Sequence, residues 1–339
     1  MKKVLTTALK ILVFTLIGAH LLLHIAIHEF GHFVFGKLTG HTLSHVRLGK
    51  FLWYKENGKW KYKSDSAFVK QTKAVGQCWM LPPAGCAHSY NFFLYVFGGG
   101  LFNFITAMVL LAVLIVGNTS GFVMGLIIYH FVISLYLAIA NLTIGGDGRQ
   151  IREGLKSPTA RRGQYWTFYV GRIGDGASTS FKDFTAEDFH IDDNVEIKYQ
   201  SEILLLMWDT ARLTELKQYD LIVERYHRIA NSNIKGQKTM SPLLRHFELK
   251  ALYACIVHLQ DYEKAKEIYA QEHVQKELET NTATTNRVLA AYNHYVLDDA
   301  EKVNFHLEKA NIIADEWNNT TEKLYIKELE ELIAPSTQG

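Results

Sequence analysis

Three long apolar stretches dominate the first half of the chain. Residues 11–36 carry a single formal charge, Glu29, and residues 91–117 and 119–144 carry none. About 20 helical residues cross the hydrocarbon core of a bilayer, so each stretch is long enough to span a membrane. We therefore predict three transmembrane helices, with the second and third joined by a tight turn at 117–121.

The connection between the first two stretches, residues 37–90, contains short runs of alternating polar and apolar side chains. Residues 51–55 and 60–63 flank an Asn-Gly pair at 57–58, which is typical of a type I′ β-hairpin. Residues 59–63 alternate lysine with aromatic residues, so one face of that strand is basic and the other aromatic. Such a hairpin fits either a solvated surface or the lipid headgroup level, where both residue types accumulate.

Beyond residue 148 the pattern changes to amphipathic helices of ordinary length. Residues 156–199 hold a glycine-rich loop and an acidic stretch, and we assign them as a linker. Residues 200–335 predict a soluble helical domain. The fold class is therefore mainly α: a three-helix transmembrane core with a small β-hairpin insert over 1–155, followed by a soluble α-helical domain.

Similar turn sequences recur within this helical domain, at residues 217–220, 259–265 and 297–302. Their spacing of about 40 residues resembles that of degenerate tetratricopeptide-type helix pairs. The full alternation of small and large residues in that repeat is missing, so a plain helical bundle fits as well.

The two parts of the chain carry opposite charge. Residues 1–148 hold 12 lysines and arginines against 4 acids, whereas the rest holds 24 against 30, so the formal net charge of +2 is an average of unlike halves. The composition excludes a disordered tail and a basic nucleic-acid arm, and we expect no nucleic-acid partner. Three cysteines at irregular spacing form neither a disulfide framework nor a zinc knuckle.

The distribution of basic residues predicts the orientation in the membrane. Residues 37–90 carry nine lysines and arginines against two acids, and residues 149–162 carry five. The positive-inside rule places both segments in the cytoplasm, in conflict with three lysines among the first ten residues. We expect a multi-pass protein of the bacterial cytoplasmic membrane with its C-terminal domain in the cytoplasm. A cleaved signal peptide is disfavoured, because the apolar run continues well beyond the small residues at 18–19.

The first apolar stretch contains the sequence His-Glu-Phe-Gly-His at 28–32. Histidines four positions apart lie about 40° apart on a helix, so both imidazoles can bind one Zn²⁺ while Glu29 acts as a general base. An ionisable side chain in an apolar helix costs about 3 kcal/mol on insertion scales, which favours a functional role for Glu29. We expect His20, His24 and His130 to pack or form hydrogen bonds instead of binding a metal.

A catalytic zinc site needs a third protein ligand, and Asp147 is the candidate. The first and third of three successive crossings run in the same direction, so the histidine pair and Asp147 reach the same side of the bilayer. Glycines around Asp147 let the chain unwind, which is tolerated at membrane depth where it is buried or lines a cavity. The extended soluble motif HExxHxxGxxH is absent, because Phe35 and Leu38 occupy the required positions.

Together these motifs resemble the site-2-protease family of intramembrane zinc metalloproteases over about residues 1–155. The sequence Gly-Gly-Gly-Leu-Phe-Asn at 98–103 is similar to that family's small-residue and asparagine motif in its middle helix. The resemblance implies a β-structured segment that guides the substrate. It also implies zinc binding by His28, His32 and Asp147, water activation by Glu29, and substrate positioning by Asn103 and Asn141.

Three functions fit the sequence. The first is a zinc metalloprotease that hydrolyses a peptide bond in or next to a transmembrane segment of a membrane-anchored protein or peptide. The second is a catalytically degenerate, protease-like membrane scaffold whose helical domain binds a partner protein, and the third is a secreted soluble zincin. The acidic residue within an apolar helix and its pairing with Asp147 favour the first, with Zn²⁺ as the cofactor and the lipid bilayer as the surroundings.

Overall fold

The computed structural model divides into two compact units, Met1–Asp183 and Phe184–Gly339. The residues that it describes are 2–56, 58–64, 75–118, 120–170, 180–232, 245, 247–316 and 319–334. The fold is mainly helical with one small antiparallel sheet. This confirms the expected mainly α class with a β-containing insert.

The first unit begins with one long helix, α1, over Lys2–Leu38. It contains the first predicted apolar stretch and extends beyond it at both ends, because neither flank holds a proline that would stop it. The helix ends where Gly40 takes a left-handed φ of +83°. In this conformation the amide of His41 donates to the carbonyl of Gly36 at 2.8 Å and closes the last turn.

Four strands follow α1 and form an antiparallel sheet in the order β3-β2-β1-β4. Their bounds are β1 (Thr42–Leu48), β2 (Phe51–Glu56), β3 (Lys59–Ser64) and β4 (Gly76–Leu81). The predicted hairpin is confirmed as β2–β3, in which Trp53 lies opposite Tyr62. Gly58 in its turn has a φ of +75°, and Asn57 lies outside the described residues.

The prediction of a simple hairpin is incomplete, because β1 and β4 complete a four-stranded sheet. β1 buries two polar residues, Ser44 and Arg47, so its sequence lacks the apolar–polar alternation that marks a half-buried strand. A register shift between Leu43 and His45 in the pairing with β4 interrupts the pattern further. β4 is an edge strand of the sheet and packs against α1.

The second and third apolar stretches form the helices α2 (Phe92–Val116) and α3 (Gly121–Thr143). Among the described residues, two segments are long and apolar enough to cross a membrane: Phe92–Val116 and Gly121–Lys156, with mean hydropathies of 2.4 and 2.2. α1 and α2 approach each other closely at Gly31 and Gly98, where a Cβ on either glycine would overlap the carbonyl oxygen of the other. Small residues allow two helix backbones to come this close.

The chain breaks after α3 at residues 144–145 and restarts as α4 (Gly146–Lys156). The expectation that Asp147 lies in unwound chain is therefore wrong, because Asp147 lies in the first turn of α4. Gly148 allows this sharp restart, since a Cβ there would collide with the carbonyl group of Leu142.

The residues after α4 continue as α5 (Pro158–Tyr169) and, beyond a gap in the described residues, a short 3-10 turn at Phe181–Asp183. Tyr165 and Trp166 of α5 are buried in the first unit. This part of the segment assigned as a linker is thus packed helix.

The second unit consists of helices in its described part. Their bounds are α6 (Ala186–Phe189), α7 (Gln200–Glu215), α8 (Tyr219–Ala230), α9 (247–258), α10 (Tyr262–Tyr269), α11 (Glu272–Leu278), α12 (Ala283–Tyr292), α13 (Ala300–Glu316) and α14 (Thr320–Ile333). α9 ends in a π-helical turn at Ala254–His258, and a second π-helical turn, Asn293–Leu297, follows α12. The core of this unit includes the fully buried side chains of Leu213, Leu252 and Ile256.

The three turn sequences that recur along this unit share one backbone conformation. Lys217, Gln260 and Asp298 have φ values of 58°, 53° and 54°, and no other non-glycine residue in the described part of the chain has a positive φ. The turns connect α7 to α8, α9 to α10, and the π-helical turn after α12 to α13. The recurrence in the sequence therefore corresponds to three helix–turn–helix pairs, whereas their likeness to tetratricopeptide repeats stays a prediction.

Candidate metal centre

His28 and His32 lie on one face of α1, as their spacing predicts. Their Nε2 atoms are 3.1 Å apart, and the two rings meet at an interplanar angle of 84°. Their side chains are 12% and 10% exposed. The pair thus presents two ring nitrogens to the same point inside the first unit.

Asp147 reaches that point from the first turn of α4. Its Oδ2 atom lies 3.1 Å from Nε2 of His28 and 3.4 Å from Nε2 of His32, and its side chain is 19% exposed. These three residues are the one group of possible metal ligands among the described residues whose ligand atoms all lie within 4.8 Å of one another. The structure therefore brings together the three residues that the sequence suggested as ligands.

The geometry of these three atoms fits a tetrahedral metal ion. Ligands about 2.0 Å from a tetrahedral Zn²⁺ are separated from each other by about 3.3 Å, close to the observed 3.1, 3.1 and 3.4 Å. Two histidines and a carboxylate are also a common ligand set of catalytic zinc, which leaves the fourth position to water or substrate. The residues present therefore fit Zn²⁺.

Both imidazoles are held in orientation through their other ring nitrogen. Nδ1 of His32 lies 2.8 Å from the backbone carbonyl oxygen of Tyr95 on α2, which fixes its proton on Nδ1 and leaves Nε2 free to bind a metal. Nδ1 of His28 lies 3.4 Å from Nδ2 of Asn103, also on α2. The Oδ1 atom of Asn103 is buried and has no hydrogen-bond partner in the described structure. A half-turn of this amide would let Oδ1 accept the Nδ1–H of a metal-bound His28.

A glycine on α2 provides the space beside the two imidazoles. A Cβ on Gly99 would lie 2.6 Å from Nε2 of His28 and would also overlap Nε2 of His32. Any larger residue at this position would therefore occupy part of the volume that the ligand atoms face. The glycine run at 98–100 pointed to this helix from the sequence, but it did not show which glycine borders the ligands.

Glu29 lines the same cavity, next to the edge strand β4. The cavity has a volume of about 420 Å³, and Glu29, Asp147, Trp79 and Asn141 are among the residues that line it. The carboxylate of Glu29 accepts a hydrogen bond from the backbone amide of Cys78. On the same strand, a Cβ at Gly76 would overlap the Glu29 carboxylate. Neither contact with β4 was foreseen from the sequence, because both involve backbone or a missing side chain.

The other polar residues near the cavity behave as the sequence suggested. Nε2 of His24 lies 2.9 Å from Nδ1 of His130, and the hydroxyl of Ser134 lies 3.0 Å from Nδ1 of His24. The ring of His20 packs against that of His130 with centroids 4.8 Å apart. Cys78 is buried, and its burial next to Glu29 raises the pKa of the thiol to about 12, so it stays a neutral thiol.

The two predicted asparagines have different surroundings. Asn103 is fully buried and contacts His28, one of the three possible metal ligands. Asn141 lies near the end of α3 and lines the cavity. The substrate-positioning role that the resemblance implies for both asparagines stays a prediction.

A model of peptidase family M50 matches residues 16–304 of the 339-residue chain. The matched range includes the histidine pair, Glu29 and Asp147. No match to the chain was found among curated proteins or among solved structures.

Proposed function

The chain belongs to peptidase family M50, the site-2-protease family of membrane metallopeptidases, and from this premise we propose that it is a zinc endopeptidase. Its proposed substrate is a membrane-anchored protein or peptide, cut in or next to a transmembrane segment. The observation that carries this proposal is the convergence of His28, His32 and Asp147 on one point, at separations that suit tetrahedral zinc.

In this proposal His28, His32 and Asp147 hold the metal. When bound, Zn²⁺ lowers the pKa of a coordinated water and polarises the scissile carbonyl group. The carbonyl of Tyr95 and the amide of Asn103 keep the two imidazoles turned toward the ion. His32 is buried and the side chains of His28 and Asp147 are 12% and 19% exposed, so little of the proposed ligand set faces bulk water.

Glu29 is the proposed general base. Its carboxylate lies in the same cavity as the three ligands and is held by the amide of Cys78. From there it would take a proton from the attacking water and pass it to the leaving amine. His24 also lines this cavity, but both of its ring nitrogens contact other side chains, those of His130 and Ser134.

The edge strand β4 is the proposed guide for the substrate. A helical peptide bond is shielded by its own backbone hydrogen bonds, so a substrate must become extended before it is cut. β4 pairs with β1 along one edge, and its residues 76–79 line the cavity beside Glu29. An extended substrate segment added to such an edge would gain main-chain hydrogen bonds next to the base. Asn141, which also lines the cavity, would hold the substrate backbone or the oxyanion.

The membrane arrangement remains a proposal that composition supports. We take α1, α2 and α3 as membrane-spanning helices, with residues 37–90 and the helical second unit on the cytoplasmic side, where a protein partner could reach that unit. Phe51, Trp53 and Tyr62 form an exposed aromatic cluster on one face of β2–β3, and lysines occupy the other face of β3. This combination of residues suits the headgroup level of a bilayer.

The test is a cleavage assay in proteoliposomes with a panel of single-span reporter peptides. We expect the wild-type chain to cut within or beside the apolar segment of at least one reporter, as read by mass spectrometry. Glu29→Gln should reduce the rate by a factor of about 10²–10⁴. Glu263→Gln, at an exposed position of the second unit, is the matched control and should leave the rate unchanged. Equal cleavage by the wild type and Glu29→Gln would refute the proposal, and metal-loaded protein that cuts no reporter would favour a scaffold.

A further inference from the structure

The second unit contains a pocket of about 580 Å³ that the proposed peptidase reaction does not use. Its walls come from the α7–α8 turn, α9, α12 and α14. Ligand pockets of proteins typically measure roughly 300–1,000 Å³. The pocket is therefore large enough for a small organic ligand or the end of a peptide.

One wall of the pocket is a buried ion pair that is complete in itself. Nε of Arg287 lies 2.5 Å from Oε1 of Glu322, and the hydroxyl of Thr284 donates to Oε2 of Glu322 at 3.0 Å. The rings of Tyr253 and Tyr325 flank the guanidinium, with centroids 4.3 and 5.2 Å away. Because both carboxylate oxygens of Glu322 are engaged, the ion pair adds no net charge to the pocket. The two tyrosine rings beside it add aromatic surface.

Lys250 contributes an ammonium group to the pocket. Its side chain lines the pocket and forms no ion pair or hydrogen bond with any residue that the structure describes. Burial and the neighbouring Arg287 lower the pKa of Lys250 to about 8, against the opposing effect of the Glu322 carboxylate, so the ammonium is still protonated at neutral pH. An unpaired, largely buried ammonium is unfavourable, and an anionic group of a ligand would offset that cost.

The adjoining wall is aromatic and neutral. The rings of Tyr219 and His258 stack with centroids 3.7 Å apart and an interplanar angle of 6°. Burial, together with the nearby charges of Arg287 and Lys217, lowers the pKa of His258 to about 4. The imidazole is therefore uncharged at neutral pH and offers a flat surface on which an apolar side chain can pack.

The other charged side chains of the pocket determine which anionic ligands can bind there. Glu215, Glu328 and Lys217 also line the pocket, so that its cations and carboxylates balance. Outside the Arg287–Glu322 pair, a phosphate dianion would meet two carboxylates and two ammonium groups, so it would gain no net attraction. A ligand with one carboxylate and one ammonium matches both kinds of charge. We propose that this pocket binds the free carboxylate of an apolar amino acid or short peptide, with Lys250 as the partner of that carboxylate.

Equilibrium dialysis of the full-length protein tests this proposal. The probes are a pool of apolar and aromatic tripeptides with free carboxylates, the same pool with C-terminal amides, a pool of free amino acids, and inorganic phosphate. We expect the free tripeptides or the amino acids to be retained, and the amidated pool to bind at least about tenfold more weakly. Retention of the tripeptides or of the free amino acids shows whether the carboxylate comes from a peptide or from an amino acid. Failure of both to bind, equal binding of the amidated pool, or preferential binding of phosphate would overturn the proposal.

Variants of Lys250 distinguish binding from folding. Lys250→Gln should weaken retention at least about tenfold without lowering thermal stability, because it removes an unpaired buried charge. Lys250→Arg keeps the charge and should retain binding, which decides the matter if the glutamine variant is unstable. Lys327→Gln is the matched control, since Lys327 is 73% exposed on α14 and does not line the pocket. Unchanged binding in Lys250→Gln would show that the ammonium has no role.

Discussion

Nδ2 of Asn103 lies 3.4 Å from Nδ1 of His28, while Nε2 of the same imidazole faces Asp147 at 3.1 Å. The asparagine thus contacts the ring nitrogen that does not face the proposed metal. A histidine that binds a metal through Nε2 carries its proton on Nδ1 and needs an acceptor there. Because Asn103 Oδ1 is buried without a partner, this side chain can supply that acceptor.

Asn103→Leu should therefore weaken zinc binding by a factor of about 10–100, with a parallel loss of activity at limiting zinc. Competition with a chromophoric chelator measures the affinity. Asn103→Asp keeps an acceptor and should retain more affinity than Asn103→Leu. Unchanged zinc affinity in Asn103→Leu would show that the contact with His28 has no part in metal binding.

In contrast to Asn103, Asn141 should affect cleavage without affecting zinc binding. It lines the cavity but is not within the ligand cluster, so Asn141→Ala should leave the zinc content near that of the wild type. If it holds the substrate backbone or the oxyanion, cleavage should slow by about 10²–10³ in kcat. Kinetics with a cleaved reporter, together with metal analysis of the same sample, check both points. Loss of zinc from Asn141→Ala would assign it to the metal centre instead.

A third prediction concerns Gly99, which leaves space beside the imidazoles of His28 and His32. Gly99→Ala would place a Cβ 2.6 Å from Nε2 of His28, so the imidazoles must move and zinc binding should fall by about tenfold or more. Gly125→Ala on α3 is the matched control, because a Cβ there meets no atom within 4 Å. Metal content after purification measures both variants. Equal zinc content in the two would contradict the close packing of α2 against the ligands.

The second unit should show a pH dependence of its own. Burial and the nearby Glu277 raise the pKa of Glu248 on α9 to about 7. The folded state then binds more protons than the unfolded state between pH of about 4.5 and 7, so the unfolding free energy falls as the pH rises through this window. Glu248→Gln should remove that fall and make α9 more stable than in the wild type at pH 8.

Hydrogen exchange of the α9 amides in the full-length protein, followed from pH 5 to 8 and corrected for the intrinsic rate, measures this effect. Glu263→Gln, at a side chain that is 84% exposed, should keep the wild-type pH dependence. An identical pH dependence in Glu248→Gln would assign the change to another group.

Much of the fold follows from patterns that are local in the sequence. Long apolar stretches predicted α2 and α3 to within two residues at each end, and the Asn-Gly pair at 57–58 predicted β2–β3. β1 escaped prediction because it buries Ser44 and Arg47 against other parts of the fold. Burial of polar residues in a strand depends on tertiary contacts, which a local pattern does not contain.

The three candidate ligands could be proposed from the sequence because their chemistry is in their side chains. His28 and His32 share a helix, and Asp147 is an acid among glycines at the end of an apolar stretch. The contacts that hold these side chains in place could not be predicted from the sequence. The carbonyl of Tyr95 and the amide of Cys78 belong to the backbone, and Gly99 contributes by lacking a side chain. Such contributions become visible only when the helices are placed against each other.

The central claim, that Asp147 completes a zinc site with His28 and His32, is tested most directly by the zinc content of purified protein. Inductively coupled plasma mass spectrometry should find about one zinc per chain in the wild type and in Glu29→Gln, and less than about one tenth in Asp147→Ala. Asp193→Ala, at a fully exposed position in the second unit, should match the wild type. Stoichiometric zinc in Asp147→Ala, or a wild-type protein that takes up no zinc, would contradict the account.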